Sequence, residues 1–375
     1  MVMEDFQVFI KPVGGCCNLR CSYCYYRGDT YGTEVKHLMS VETLENCIKQ
    51  HFSASSGDTV FFTWHGGEPL LAGIDFYKKA LAIQKKYLPQ GKNFLNGIQT
   101  NGTLITKDWC KFLSENGFAV GISIDGPDIF HDAMRRSSNQ IGSFEKTLAG
   151  YGLLREYGIN AEILCVVNAY NVRHPIVVYD FFKMLGSGYI TFLPLVEKND
   201  NDIVTEKSVP AFEFGLFLSA IFDEWIKKDI GTVKIQIFEE ALRTAFNQEH
   251  TLCIFKERCG GVPVIEHNGD FFSCDHFVDK NHRLGNINEQ DLEYLLNHNV
   301  QNAFGNEKLN SLPQYCLQCD VRKMCNGECP KYRFIISPDG EPGLNYLCEG
   351  YQYFFKHCKP FVNMVAEVWG MKNEE

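Results

Sequence analysis

No stretch of this chain approaches the roughly 18 consecutive apolar residues needed to cross a bilayer, which excludes a membrane-spanning helix. The first ten residues carry Glu4 and Asp5 where a secretory signal would place basic side chains. Positive charge is scarce: 36 Lys and Arg against 46 Asp and Glu leave a formal charge of -10. Binding to a phosphate backbone rests on basic side chains displacing condensed counterions, so nucleic acid is not an expected partner. Low-complexity tracts and repeats of solenoid period are also lacking, which removes repeat architectures. These absences lead to a globular cytoplasmic protein. Its 375 residues, 45% hydrophobic and 13% aromatic, are enough for two domains with a substantial core.

Short runs rich in β-branched and aromatic residues at 6–10, 59–64, 94–98, 119–124, 161–167 and 189–193 read as strands. Amphipathic stretches at 41–51, 74–87, 108–116, 143–157 and 175–185 separate them at helical period. Such alternation implies parallel strands with right-handed helical crossovers, so the expected fold is α/β, a partial (β/α)6 barrel. Its ligands would sit at the C-terminal ends of the strands. Residues 197–207 read as a loop and 209–228 as one long helix. Past about residue 235 strands thin out while cysteines, glycines and aromatics become dense. The expected domains are 1–235, the barrel, and 236–375, a small cysteine-rich domain held by metal.

Sixteen cysteines in a cytoplasmic chain, bunched at short spacings, point to metal rather than disulfides. Cys17, Cys21 and Cys24 form CxxxCxxC directly after the first strand. Three thiolates are one short of the four that normally hold a four-iron cluster, which leaves one iron open for an exchangeable ligand. A structural zinc loop is the competing reading. Cys253, Cys259, Cys274, Cys316, Cys319, Cys325, Cys329 and Cys348 suffice for two fully ligated four-iron clusters, with four-thiolate zinc as the alternative. Cys16, Cys47, Cys110, Cys165 and Cys358 are scattered and read as small buried hydrophobes. Polar and glycine residues mark the strand ends at His65-Gly66-Gly67-Glu68-Pro69, Gln99-Thr100-Asn101-Gly102-Thr103 and Ser123-Ile124-Asp125-Gly126.

The CxxxCxxC loop, with Tyr23 before its last cysteine, resembles that of radical S-adenosylmethionine enzymes. The resemblance implies that S-adenosylmethionine chelates the open iron and is reduced to a 5′-deoxyadenosyl radical. It also implies cofactor contacts at Tyr23, Gly67, Glu68, Ser123, Arg135 and, at the end of strand six, Val196; Arg136 competes with Arg135. Ser123 reads equally well as a turn residue, and Tyr23 and Tyr26 as packing aromatics. The spacing Cys316-x2-Cys319-x5-Cys325-x3-Cys329 resembles the SPASM auxiliary-cluster domain. That likeness implies one auxiliary cluster on Cys253, Cys259, Cys274 and Cys329, and a second on Cys316, Cys319, Cys325 and Cys348. An exchange within the central group stays open.

Ile10-Lys11-Pro12, Gln99 to Ile105, Lys111 to Asn116 and Ile163 to Val167 narrow the resemblance to the anaerobic sulfatase-maturating enzymes. The reaction implied is oxidation of a cysteine or serine in a sulfatase to Cα-formylglycine, with three [4Fe-4S] clusters and a flavodoxin- or ferredoxin-type reductant. The base implied is Asp275, in Ser273-Cys274-Asp275-His276, with a carboxyl pKa raised by partial burial; a solvated turn residue is the bland alternative. A monomer is expected, since a polypeptide must reach the barrel mouth. His65, where these relatives carry glutamine, and Leu193 to Val196 depart from the family pattern, which puts substrate identity in more doubt than cofactor identity. The runner-up is a SPASM enzyme that crosslinks or epimerises another peptide. Such enzymes often carry a leader-binding domain before strand one, where this chain has five residues. A non-catalytic electron carrier would leave the three-cysteine open site unexplained.

Overall fold

The computed structural model describes residues 6–27, 37–199 and 201–373; Glu4 and Asp5 of the signal reading lie outside them. Its strands are β1 (Phe9–Ile10), β2 (Thr59–Trp64), β3 (Asn93–Thr100), β4 (Ala119–Ser123), β5 (Glu162–Val167), β6 (Tyr189–Pro194), β7 (Lys234–Ile235), β8 (Val264–Ile265), β9 (Asp270–Phe272) and β10 (Arg283–Asn286). The helices used below are α1 (Val41–Ala54), α2 (Ile74–Tyr87), α3 (Lys107–Glu115), α4 (Asp128–Met134), α5 (Phe144–Glu156), α6 (Pro175–Met184) and α7 (Ala211–Lys228), with a C-terminal helix at Cys348–Asn373. Among the described residues, no helix is long and apolar enough to cross a membrane.

Two compact units emerge, each drawn from three segments. The first comprises Met1–Ser123, Met134–Ala161 and Cys259–Asn306, the second Ile124–Ala133, Glu162–Arg258 and Glu307–Glu375. Compactness thus groups the chain differently from the change of texture near residue 235, which is a change of composition.

In the first unit the strands run β10-β9-β8-β1-β2-β3-β4, parallel from β8 to β4 and antiparallel at β9 and β10. The expected strand at 6–10 shortens to β1, two residues long. Strands β8 to β10 go beyond the sequence reading; they are too short to show a period and form because β1 offers β8 an open edge. In β2 alternate residues Val60, Phe62 and Trp64 are buried and Phe61 is exposed, the period of a sheet covered on one face. Facing it, α1 buries Leu44, Cys47, Ile48, His51 and Phe52, an i, i+3, i+4 stripe, behind an N-cap in which Ser40 Oγ accepts from Thr43 N. Phe52 meets Phe62 edge to face at 5.2 Å, and burying each such ring contributes about 1.5–3 kcal/mol.

In the second unit β5, β6 and β7 pair in parallel in that order. The C-terminal helix packs on α7 at closest approach, where a Cβ on Gly350 would lie 2.0 Å from the Ala211 carbonyl oxygen. Asp125, wholly buried, accepts from Val166 N at 2.9 Å, so this aspartate just past the end of β4 serves to hold the end of β5.

Candidate active site

Two strand ends converge on the CxxxCxxC loop. Gly67 N donates to Gly14 O and Glu68 N to Cys16 O, at 2.9 and 2.8 Å. A Cβ on Gly67 would lie 2.2 Å from Cys16 O, so only glycine lets the end of β2 approach this closely. Glu68 is wholly buried; its carboxylate accepts from Leu70 N, Thr100 Oγ1 and Asn101 N, and burial pushes its pKa up to about 7. Two of its roughly four acceptor positions are therefore spent on binding the ends of β2 and β3 together, and a third caps the turn that follows β2.

The cysteine sulfurs face donors. Cys17 Sγ accepts from Leu19 N at 3.3 Å and Asn101 Nδ2 at 3.6 Å, and burial with Glu68 nearby pushes its pKa up to about 12. A thiol this costly to ionise in a dry site becomes a thiolate when a metal takes the place of its proton. The loop is pinned on its other side by the segment after α4, where Arg20 N donates to Arg136 O and Ser22 N to Met134 O. The Arg135 guanidinium lies over the Tyr23 ring at 5.3 Å, so the structure brings these two expected cofactor residues together. Ser123 is 3.4 Å from Gln99 Nε2 at the ends of β4 and β3. Val196 is buried just past β6 in the second unit.

Asp275 sits in a network that the sequence did not display. Its Oδ1 is 2.7 Å from Lys11 Nζ, which also pairs with Glu266 at 3.0 Å; Lys11 is wholly buried. Its Oδ2 accepts from Tyr25 at 2.6 Å and Tyr26 at 2.9 Å. Tyr26 in turn is 2.8 Å from His65 Nδ1, and Lys11 Nζ lies 4.4 Å from the Tyr26 ring. Burial lowers the His65 pKa and keeps the ring neutral. With the ring neutral, the assignment that fits these distances has Nδ1–H donating to Tyr26 and Tyr26 donating to Asp275.

The expected rise in the Asp275 pKa is corrected. Burial alone would raise it, but the Lys11 ammonium and the hydrogen-bond donors hold the carboxyl far below the usual carboxylate range. Lys11 goes the other way, since Asp275 and Glu266 outweigh its own burial. Tyr25, Lys11 and Glu266 were missed as site residues. The one available signal was a lysine closing an apolar strand just before Pro12.

The C-terminal cysteines divide between the units: Cys259 and Cys274 lie in the first, Cys253 and Cys329 in the second. Ahead of Cys253, buried Glu240 accepts from His250 Nδ1, Thr251 N and Leu252 N, which sets the turn. Cys316, Cys319, Cys325 and Cys348 line one cavity of the second unit, closed by Tyr351 and by Gln352, whose Nε2 is 3.5 Å from Cys319 Sγ. Burial raises the thiol pKa values of Cys316, Cys325 and Cys348, the last to about 12. Among the described residues no three His, Cys, Asp or Glu side chains converge as on a single ion. Zinc would draw four sulfurs to about 2.3 Å from one point, whereas a cluster keeps its cysteines apart around a wider body; four thiols spread around a cavity fit the second. Of the scattered cysteines, Cys47, Cys110, Cys165 and Cys358 are wholly buried as expected, whereas Cys16 is half-buried and its carbonyl accepts from Glu68 N.

Residues 12–181 match the Radical SAM superfamily, and residues 253–320 match an iron-sulfur cluster-binding domain, SPASM. The serine-type anaerobic sulfatase-maturating enzyme of Bacteroides thetaiotaomicron is 43% identical, over 97% of this chain and 92% of its own. The chain belongs to the anaerobic sulfatase-maturating enzymes. The cysteine-type member of this family from Clostridium perfringens is 32% identical over 97% of this chain and 99% of its own. The solved structure of native anSMEcpe with bound AdoMet and Cp18Cys peptide superposes with a TM-score of 0.87 at 31% identity, covering 96% of this chain and 99% of that one. Family membership brings the radical S-adenosylmethionine fold with its SPASM domain, as the cysteine spacings implied.

Proposed function

We propose that this enzyme oxidises a cysteine or serine side chain of a sulfatase polypeptide to Cα-formylglycine, with Asp275 as the base. In this reading Cys17, Cys21 and Cys24 hold the catalytic [4Fe-4S] cluster, and Tyr23, Gly67, Glu68, Ser123, Arg135 and Val196 line the S-adenosylmethionine site. Cys253, Cys259, Cys274 and Cys329 hold the first auxiliary cluster and Cys316, Cys319, Cys325 and Cys348 the second; residues 1–235 carry the radical chemistry and 236–375 the auxiliary clusters. The protein works as a cytoplasmic monomer with a flavodoxin- or ferredoxin-type reductant. The observation that carries the reading is a buried, ionised carboxylate hydrogen-bonded to tyrosines of the cysteine loop, in a chain similar over its length to sulfatase-maturating enzymes.

When bound, S-adenosylmethionine supplies the radical that takes hydrogen from the substrate β-carbon, and the auxiliary clusters an exit for the second electron. The chain's own part is proton transfer and orientation. Asp275 is ionised across the neutral range and receives the thiol or hydroxyl proton. Because Lys11 holds its pKa so low, it takes that proton only from a group made acidic by loss of hydrogen from the adjoining carbon. Lys11 stays charged throughout, and removing one partner of such a buried pair costs about 3–5 kcal/mol.

The test is anaerobic incubation of reconstituted protein with S-adenosylmethionine, a strong reductant and peptides bearing Cys-x-Pro-x-Arg or Ser-x-Pro-x-Arg, read by mass spectrometry. Aldehyde with 5′-deoxyadenosine is expected. Asp275→Asn should still release 5′-deoxyadenosine while aldehyde formation falls by about 10²–10⁴. Cofactor cleavage with both peptides unchanged would sink the reading.

A further inference from the structure

We infer that Gln352 raises the reduction potential of the second auxiliary cluster: its side-chain amide donates to the Cys319 sulfur and so makes that cluster easier to reduce. The inference rests on the proposed assignment of Cys316, Cys319, Cys325 and Cys348 to one cluster, and it specifies how the chain tunes that cluster as an exit for the second electron.

The donor is built into the fold. Cys348 opens the C-terminal helix and Gln352 follows about one turn later, so both side chains leave the same helix face and line the same cavity. The helix is seated against α7 at Gly350, where there is no room for a Cβ. Gln352 Nε2 lies 3.5 Å from Cys319 Sγ, and Gln352 Oε1 accepts from the Tyr315 hydroxyl at 3.4 Å. Tyr315 lines the cavity too. Because a phenol hydroxyl can donate to the amide oxygen and a thiolate can only accept, this amide orientation is the one that serves both neighbours. Among the described residues, Gln352 is the one side chain that donates to a sulfur of this set of cysteines.

The sign follows from charge. One-electron reduction adds negative charge that the ligand sulfurs share, and an N–H pointed at one of them stabilises the reduced cluster more than the oxidised one. Hydrogen bonds to the sulfurs are among the levers that set iron-sulfur potentials. A cluster so tuned more readily takes the electron released on oxidation of the substrate side chain, one electron lost there for one gained here. Gln352 acts through Cys319, which makes it a positioning residue. A glutamate at this position would keep the shape and turn an acceptor toward the sulfur.

The experiment is a potentiometric titration of reconstituted holoenzyme under anaerobic conditions, followed by electron paramagnetic resonance, with iron measured on the same samples. The parent should show a reduction step for each proposed cluster, and Cys348→Ala should lack one step together with about four irons per chain. That step is the one expected to move in Gln352→Leu. It should fall by about tenfold in the reduction equilibrium, or about 59 mV for a one-electron couple, with the other steps unmoved. Gln352→Glu should lower it further, and Tyr315→Phe, which frees the amide to turn, by less. An unchanged potential in Gln352→Leu, an upward shift, or equal movement of every step overturns the inference. Loss of iron in both Gln352→Leu and Gln352→Glu does so as well, since the amide would then be a structural brace. Full iron and an undiminished set of steps in Cys348→Ala would instead overturn the cluster assignment, and the inference with it.

Discussion

His51, in the last turn of α1, is buried between Phe62 at 4.7 Å and Phe6 at 5.5 Å, with Nδ1 unpartnered. Burial lowers its pKa to about 3, so the folded protein keeps the ring neutral where the unfolded chain, with a value near 6.5, binds a proton. The unfolded state therefore holds more protons as pH falls below about 6.5, and stability drops by about 1.4 kcal/mol per pH unit until the folded value is reached. His51→Leu is expected to remove this share of the acid slope. Anaerobic denaturant titrations at pH 7, 6 and 5 check it, and an unchanged slope would refute it. At Asp275 and Lys11 opposite shifts arise from one contact, since each charge is stabilised by the other. Burial alone would have moved both groups toward neutrality, and a distance of 2.7 Å decides that pairing wins.

Elements meet at places where only backbone fits. Between α7 and the C-terminal helix, a Cβ on Gly215 would lie 2.4 Å from Gly350 O, and one on Gly350 2.0 Å from Ala211 O. Main chain cannot yield as a side-chain tip can, so Gly350→Ala is expected to push the helices apart at a cost of about 1–3 kcal/mol. Cys348 begins the same helix and lines the cavity it shares with Cys316, Cys319 and Cys325, the proposed second auxiliary site. Gly350→Ala should therefore also lower the iron content of the purified protein, whereas Gly370→Ala, with open space around its Cβ, should not. Iron analysis and thermal unfolding of the pair test this; full iron in Gly350→Ala would refute the link between helix packing and cluster binding. Element boundaries were legible where periodicity ran long: the helix expected at 74–87 is α2 and the strand expected at 59–64 is β2. Strands β8 to β10 were not, because their pairing depends on a neighbour distant in the chain.

Across the whole molecule the proposed division of labour separates two activities. Cys17→Ala should abolish reductive cleavage of S-adenosylmethionine. Cys348→Ala should keep that cleavage and lose aldehyde formation, at the expense of about four irons per chain. Loss of 5′-deoxyadenosine in both variants would place all three clusters on one path and refute the separation. Sequence by itself determined what depends on near neighbours. Cysteine spacings of two and five residues keep Cys316, Cys319 and Cys325 near one another, and they line one cavity, whereas Cys348 joins them only through the fold. Periodicity determined the alternating strands and helices, because burial on one face repeats with the geometry of the element. Tertiary structure decided the charge state of Asp275, the proposed base. Tyr25 and Asp275 lie 250 residues apart, and Lys11 and Glu266 come from opposite ends of the first unit's chain segments. A carboxylate's pKa is set by the charges and donors within a few ångströms of it, and which groups those are is known only once the strands have paired.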